Sequence, residues 1–273
     1  MKQTKFIDVE KIIAEKNPKA LKWMPGFILR YLKRIIHEDE VNDFLEENKE
    51  NKNLDFCQAV VDYRNITIEV ENLEGIPKEG KICLVMNHPL GGMDAMILIN
   101  ALEGHREDLK FIVNDILMNL TNVSDYFVGV NKIGGTRGSA GKKIKALFES
   151  DSAVCIFPAG LVSRKTKGKV RDLEWKKAFV TNSKQSGRTI IPIHIEGHLS
   201  NFFYRLSNFR KFIGIKANIE MLYLVNELYK QKDAHIKFIV GDPIDEKVLN
   251  SGKNDRAIAQ DIREIVYSLQ NKK

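Results

Sequence analysis

The sequence predicts an α/β fold, a mixed and largely parallel sheet with helices on both faces, plus an N-terminal helical segment. Three observations predict it. From residue 65 onward, strand-like apolar runs alternate with helix-length segments. Several of those runs are apolar throughout, as strands buried on both faces are. With 273 residues, 43% of them hydrophobic and 29% charged, the chain can bury the core of one large domain and carry a helical appendage.

Residues 5–16 read as a short amphipathic helix that Asn17-Pro18 breaks. Trp23-Met24-Pro25-Gly26 is a turn, and Phe27 to His37 reads as a helix with Pro25 near its start. Its apolar face (Phe27, Ile28, Leu29, Tyr31, Leu32, Ile35, Ile36) lies beside Lys22, Arg30, Lys33 and Arg34, with no acid among them. With Trp23 at one end, this is what an interfacial helix needs. The alternative is a helix packed on the domain with solvated basic residues. Residues 38–53 are acidic and polar, read as helix then linker, and residues 54–63 read as another helix. We therefore divide the chain into an N-terminal helical segment, 1–60, a candidate for the membrane interface, and a main domain, 61–273. In the main domain strands are predicted over 65–70, 82–86, 110–113, 126–131, 153–157, 188–195 and 235–240. Helices are predicted over 94–102, 141–150, 172–185 and 255–269.

No apolar stretch approaches a membrane span, and the N-terminus has no signal-peptide core. Cys57, Cys83 and Cys155 lack metal-ligand spacing and fit a reducing cytosol. The net charge of +7 suits nucleic acid or an anionic membrane surface and does not choose between them.

The chemistry concentrates in Asn87-His88-Pro89-Leu90-Gly91-Gly92-Met93-Asp94, between the strand at 82–86 and a buried helix. An imidazole acts as general base when a carboxylate fixes its tautomer and steadies the imidazolium. Asp94, in the first turn of the helix, can do this for His88. Gly91 and Gly92 let the backbone approach a reacting group, and amides near them are candidates for holding an oxyanion. The plain alternative is a structural histidine beside an ordinary turn. His88, Lys132 and Pro158-Ala159-Gly160 each end or follow a predicted strand, and sites in parallel sheets gather at strand carboxyl ends.

Asn-His followed by Asp at a strand-to-helix junction resembles the first motif of the glycerolipid acyltransferases, the 1-acylglycerol-3-phosphate acyltransferase-like enzymes. Five residues separate His88 from Asp94 where the main line of that family has four. The form His-Pro-x-Gly-Gly-x-Asp resembles a bacterial branch that includes proteins named hemolysins and the acyltransferases of ornithine and glycine lipids. Tyr126 to Lys132 resembles the second motif, with Lys132 where Arg is usual. Ile156-Phe157-Pro158-Ala159-Gly160 resembles the third, Phe-Pro-Glu-Gly, with Ala159 in place of Glu. Thr189 to Ile195 resembles the fourth, an apolar strand with a central Pro192. The resemblance spans roughly residues 65–245.

The resemblance implies an O-acyltransferase that moves an acyl chain from a thioester, on acyl carrier protein or coenzyme A, to the hydroxyl of a single-chain lipid. The acceptor is a lysophosphatidic acid or a mono-acylated amino-acid lipid. His88 is the general base and Asp94 its orienting acid. Asn87, Gly91, Gly92, Lys132, Phe157, Pro158, Gly160, Arg164 and Lys165 are the candidate substrate-binding residues. No bound cofactor and no metal are expected, and the implied location is peripheral, on the inner face of the cytoplasmic membrane.

The basic run Ser163 to Lys169 reads as a loop whose Arg164 and Lys165 can hold an anionic head, or as a solvated loop. Trp175-Lys176-Lys177 opens a helix as packing or as a second basic contact. Gly134 to Lys143 fails the Walker pattern, and His194 to His198 misplaces the Glu of a zinc helix. No Gly-x-Ser-x-Gly elbow is present. A second class of reading keeps the fold without the chemistry, as a membrane-binding protein, and retention of His88 and Asp94 speaks against it. A third, nucleic-acid binding, has only the charge behind it and is not expected.

Overall fold

The computed structural model describes residues 5–114, 117–129 and 137–271. Nine strands run through the described residues: β1 (Thr67–Glu71), β2 (Ile82–Met86), β3 (Leu109–Val113), β4 (Phe127–Gly129), β5 (Ala153–Ile156), β6 (Arg164–Thr166), β7 (Lys169–Arg171), β8 (Thr189–Ile195) and β9 (His235–Val240). The helices are α1 (Val9–Lys16), α2 (Pro18–Trp23), α3 (Gly26–Ile36), α4 (Glu38–Glu47), α5 (Asn53–Tyr63), α6 (Gly92–Ala101), α7 (Arg137–Glu149), α8 (Ala178–Ser186), α9 (Asn201–Phe212), α10 (Leu224–Tyr229), α11 (Glu246–Leu249) and α12 (Asp255–Leu269). They fall into two compact units, residues 52–199 with 233–273, and residues 1–51 with 200–232.

The larger unit is a seven-stranded sheet in the order β1-β9-β8-β2-β5-β3-β4. Neighbours are parallel except β8 and β9, which are antiparallel. β2 lies at the centre and is buried along its whole length. Cys83 and Val85 join a core cluster with Phe148 of α7, Phe179 of α8 and Ile258 and Ile262 of α12. Strand alternation turns Leu84 and Met86 to the opposite face. α6, buried from Met93 to Ile99 and packed on α5, is apolar all round, as a helix sealed between other elements must be. The predicted mixed sheet covered on both faces is thus the observed one.

The amino-terminal rim of the sheet is tied by two buried cations, Arg106, which donates to the carbonyls of Pro77 (2.9 Å) and Gly80 (2.7 Å), and Arg188. Arg188 donates to the carbonyls of Phe148 (2.8 Å), Ile82 (2.9 Å) and Leu147 (3.0 Å), and also to Ser150 and Ser152. Placed at the carboxyl end of α7, it answers the orphan carbonyls of that helix and its dipole. The rim opposite is left free for loops.

Two predicted elements differ. The helix predicted over 172–185 begins only at Ala178, because Asp172 and Trp175 are committed to side-chain bonds in the site described below. The run Ser163 to Lys169 is not a loop but enters the antiparallel hairpin β6–β7. Its turn residues Lys167 and Gly168 have φ of 50° and 80°, the positive values a two-residue hairpin turn requires. Of the segment Gly134 to Lys143, α7 already runs from Arg137, and residues 134–136 lie outside the described residues.

The smaller unit joins α1–α4 to α9 and α10. The sequence predicts no element between 201 and 232 and an N-terminal segment that ends at residue 60. Glu38, 2% exposed, accepts from the Val9 N–H (3.0 Å) and Lys5 Nζ (2.6 Å) and so binds α1 to α4. His37 stacks on Tyr229 at 3.9 Å, and Arg210 pairs with buried Glu220 at 2.7 Å. Among the described residues, no helix is long and apolar enough to cross a membrane.

His194, on β8, is buried edge-on to Tyr267, and its Nδ1 meets no hydrogen-bond partner among the described residues. Burial, with the Arg171 charge adding to it, lowers its pKa from 6.5 to about 4. The unfolded chain therefore takes up a proton near pH 6.5 that the folded chain refuses until about pH 4. Stability present above that window is lost as the pH falls through it, by about 3 kcal/mol. Urea unfolding at pH 7 and at pH 4.5 should show the stability advantage of wild type over His194→Gln shrinking at the lower pH. An unchanged gap would place the acid sensitivity elsewhere.

Candidate active site

The chain leaves β2 into a loop that two buried carboxylates hold. Asp94 is fully buried at the third position of α6. Its Oδ2 accepts from His88 Nδ1 (2.9 Å), the Leu90 N–H (3.0 Å) and the Gly91 N–H (3.1 Å). Gly91, with φ 78° and ψ −139°, takes a conformation that side-chain-bearing residues avoid, and this lets two successive amides converge on one oxygen. Burial pushes the Asp94 carboxyl above the ordinary carboxylate range, while the bonds from His88 and Leu90 pull it back. A carboxylate can only accept, so Nδ1 carries the ring proton and Nε2 presents its lone pair.

The second carboxylate is Asp172, 3% exposed, at the exit of the β6–β7 hairpin. Its Oδ1 accepts from the His88 N–H (3.2 Å) and Ser163 Oγ (2.6 Å), and its Oδ2 from the Trp175 indole (2.8 Å). The His88 carbonyl accepts from the Ser163 N–H (2.8 Å). Both polar groups of the His88 peptide are thus engaged by the segment after β5. The Asp172 N–H donates to Tyr267 Oη at 2.6 Å, and Arg263 donates to the Asp172 carbonyl.

The third predicted motif forms the floor. Phe157 stacks on the His88 ring at 4.2 Å and 22°, with Phe111 behind it at 6.2 Å. Pro158 is buried and its carbonyl accepts from the Lys176 N–H. Gly160 has φ 67°, and a Cβ there would lie 2.7 Å from Lys176 Nζ. Ala159 is buried in the cluster that contains Trp175 and Phe179, an apolar setting for the position where the family has Glu.

The structure brings Asn87, His88, Gly91, Gly92, Asp94, Phe157, Pro158 and Gly160 into one constellation. Asn87 serves it as a clamp: its amide donates to the Ile195 carbonyl (2.8 Å) and accepts from the Ile195 N–H (2.7 Å). The Gly91 amide faces Asp94 and is not directed at a substrate oxygen. Arg164 is 2% exposed and its Nη1 donates to the Val162 carbonyl (2.5 Å) rather than standing on a solvated loop. Lys165 sits on β6 opposite Val170. Lys132 lies outside the described residues. Beyond Asn87 and Pro89 opens a cleft of about 770 Å³, lined by Lys169, Arg171, His194, His198 and Tyr267 among others.

Sequence reading missed Asp172 and Tyr267, which act from 84 and more residues away. One signal was present. Asp172 and Glu174 are the acids in a run, Ser163 to Lys177, that is otherwise rich in Lys and Arg. An acid placed there has a structural or electrostatic task.

The profile of the family described as acyltransferase matches residues 11–273. The lyso-glycine lipid O-acyltransferase of Bacteroides thetaiotaomicron is 42% identical over 265 residues, covering 97% of each chain. That of Phocaeicola vulgatus is 40% identical over 265 residues, covering 97% of this chain and 95% of its own. Among solved structures, the crystal structure of the 1-acyl-sn-glycerophosphate acyltransferase PlsC from Thermotoga maritima matches at a TM-score of 0.48. It is 18% identical and covers 79% of this chain and 77% of that one. The chain belongs to the glycerolipid acyltransferase-like family and is an O-acyltransferase.

Proposed function

We propose that this chain acylates the hydroxyl of a single-chain lipid bearing a carboxylate head; two relatives are named lyso-glycine lipid O-acyltransferases. The observation that carries the mechanism is the bond from His88 Nδ1 to buried Asp94, which leaves Nε2 as the base. The acceptor hydroxyl attacks the carbonyl carbon of an acyl thioester while its proton passes to Nε2. The tetrahedral oxyanion collapses, the carbon–sulfur bond breaks, and the imidazolium returns the proton to the departing thiolate. No covalent enzyme intermediate forms. Amide N–H groups at the start of α6, beginning with Gly92, are the donors we assign to the oxyanion. Lys165 and Lys132 are the cations we assign to the anionic head, with Lys176 above Gly160 as a third; Arg164, buried with its guanidinium on main-chain carbonyls, is not among them. The donor is a thioester on acyl carrier protein or coenzyme A, and the working site is the inner face of the cytoplasmic membrane.

The carboxylate head is preferred to a phosphate head because two relatives act on lyso-glycine lipid and because Ala159 sits in an apolar cluster. In a competition assay with lyso-glycine lipid and lysophosphatidic acid, labelled acyl chain should appear mainly in the glycine lipid. Equal labelling of both would defeat the claim of specificity.

Purified His88→Ala should lose transfer, with kcat down about 10³-fold or more. Asp94→Asn keeps the shape and an oxygen for Nδ1 but removes the negative charge that steadies the imidazolium, and should lower kcat by about 10²-fold or more. Transfer by His88→Ala at the wild-type rate would sink the mechanism.

Asp172 is a positioning residue, acting through the His88 backbone. Asp172→Asn should lower kcat about 10- to 100-fold with KM for either substrate little changed. The shape of its pH–rate profile should be that of wild type, since the His88–Asp94 bond is intact. A changed KM with unchanged kcat would assign Asp172 to binding instead.

A further inference from the structure

We infer that α9 and the turn after it form a membrane-docking surface for anionic lipid. The inference rests on the lipid acceptor proposed above. Phe202, Arg205, Phe209 and Phe212 recur at spacings of 3, 4 and 3 and so form one stripe of the helix. All four are exposed, Phe209 at 59% and Phe212 at 87%. The opposite stripe, Phe203, Ser207 and Arg210, is buried. An ordinary surface helix keeps its apolar stripe inward and its polar stripe outward. Here both stripes carry aromatics; on the outer one Phe202 packs edge-on against Tyr223, while Phe209 and Phe212 stay largely exposed. On either side of Gly214, which turns the chain at φ 78°, Ile213 and Ile215 extend the exposed apolar surface.

Charge selects the occupant. From Asn201 to Asn218 the basic residues are Arg205, Arg210, Lys211 and Lys216, and there is no acid. Arg210 is neutralised by Glu220, while Arg205, Lys211 and Lys216 face solvent. A second copy docked on this stripe through a two-fold axis would bring like charges together. An anionic lipid surface takes the aromatics into its headgroup boundary and neutralises the cations at once. The exposed large hydrophobics are concentrated in this unit; in the larger unit, among the described residues, they are Tyr63, Met118 and Leu173.

The test is flotation with vesicles of phosphatidylcholine and of phosphatidylcholine with phosphatidylglycerol, using wild type, Phe209→Ser/Phe212→Ser and Lys211→Glu/Lys216→Glu. Wild type should float with the anionic vesicles, less so as salt rises. Each double variant should bind about tenfold or more weakly while keeping the wild-type melting temperature. Transfer to a short-chain acceptor dissolved as monomers should stay within about twofold of wild type, since these side chains lie outside the constellation around His88. Unchanged flotation of the Phe variant would overturn the inference. So would a wild type that sediments as an oligomer and a Phe variant that is monomeric, which would make the stripe an interface between copies. Flotation without any acyl transfer by wild type would refute the proposed reaction and leave the docking surface standing.

Discussion

Two buried carboxylates fix the chain where it leaves β2. Asp94 holds the loop from the helix below it, and Asp172 holds it from the hairpin that follows β5. A buried carboxylate is tolerated only when its oxygens are answered by donors, and removing one partner of such a group typically costs about 3–5 kcal/mol. Asp94 is answered by an imidazole and two amides, Asp172 by an amide, a hydroxyl and an indole. The donors to Asp94 are local, but the bond from the His88 N–H to Asp172 joins stretches 84 residues apart, so satisfying that carboxylate and assembling the site are a single event.

The arrangement gives Asp94 two tasks in one position. As the third residue of α6 it completes the start of the helix by reaching back to Gly91, and with the same oxygen it sets the tautomer of His88. The ring is then confined by the Phe157 stack on its face and by its own peptide, bonded through both N–H and carbonyl. Among the described residues, nothing bonds Nε2. Pre-set orientation of this kind removes reorganisation from the reacting step.

The sequence made the centre of the larger unit legible and the periphery much less so. β2, β8 and α6 are apolar runs whose burial on both sides leaves little choice of structure, and their predicted bounds fall within a few residues of those observed. His88 and Asp94 were legible because their relation is local. The hairpin β6–β7 was not, because its strands are short and charged and carry no alternation of apolar residues. Asp172 shows only as an acid in a basic run, because its bonds to the His88 N–H and to Tyr267 depend on where segments 84 and 95 residues away end up. The smaller unit shows the same limit on a larger scale. α9 has aromatics on both stripes, so it lacks the single apolar face that periodicity detects, and nothing local couples residues 200–232 to the first fifty.

That coupling has a consequence for synthesis. α3 packs against α10 and against the turn at Ile219–Tyr223, where Tyr31 meets Tyr223 at 2.5 Å. A ribosome adds residues at about 5–20 per second, so on the order of ten seconds pass between the emergence of α3 and that of its partners. Through that interval the nascent chain carries α1–α4 with the inner side of α3 unfilled, while the entire segment up to β8 is being made. The smaller unit can close only after most of the larger one has been translated, and its N-terminal helices spend that time as an unpaired, partly apolar surface at the leading end of the chain.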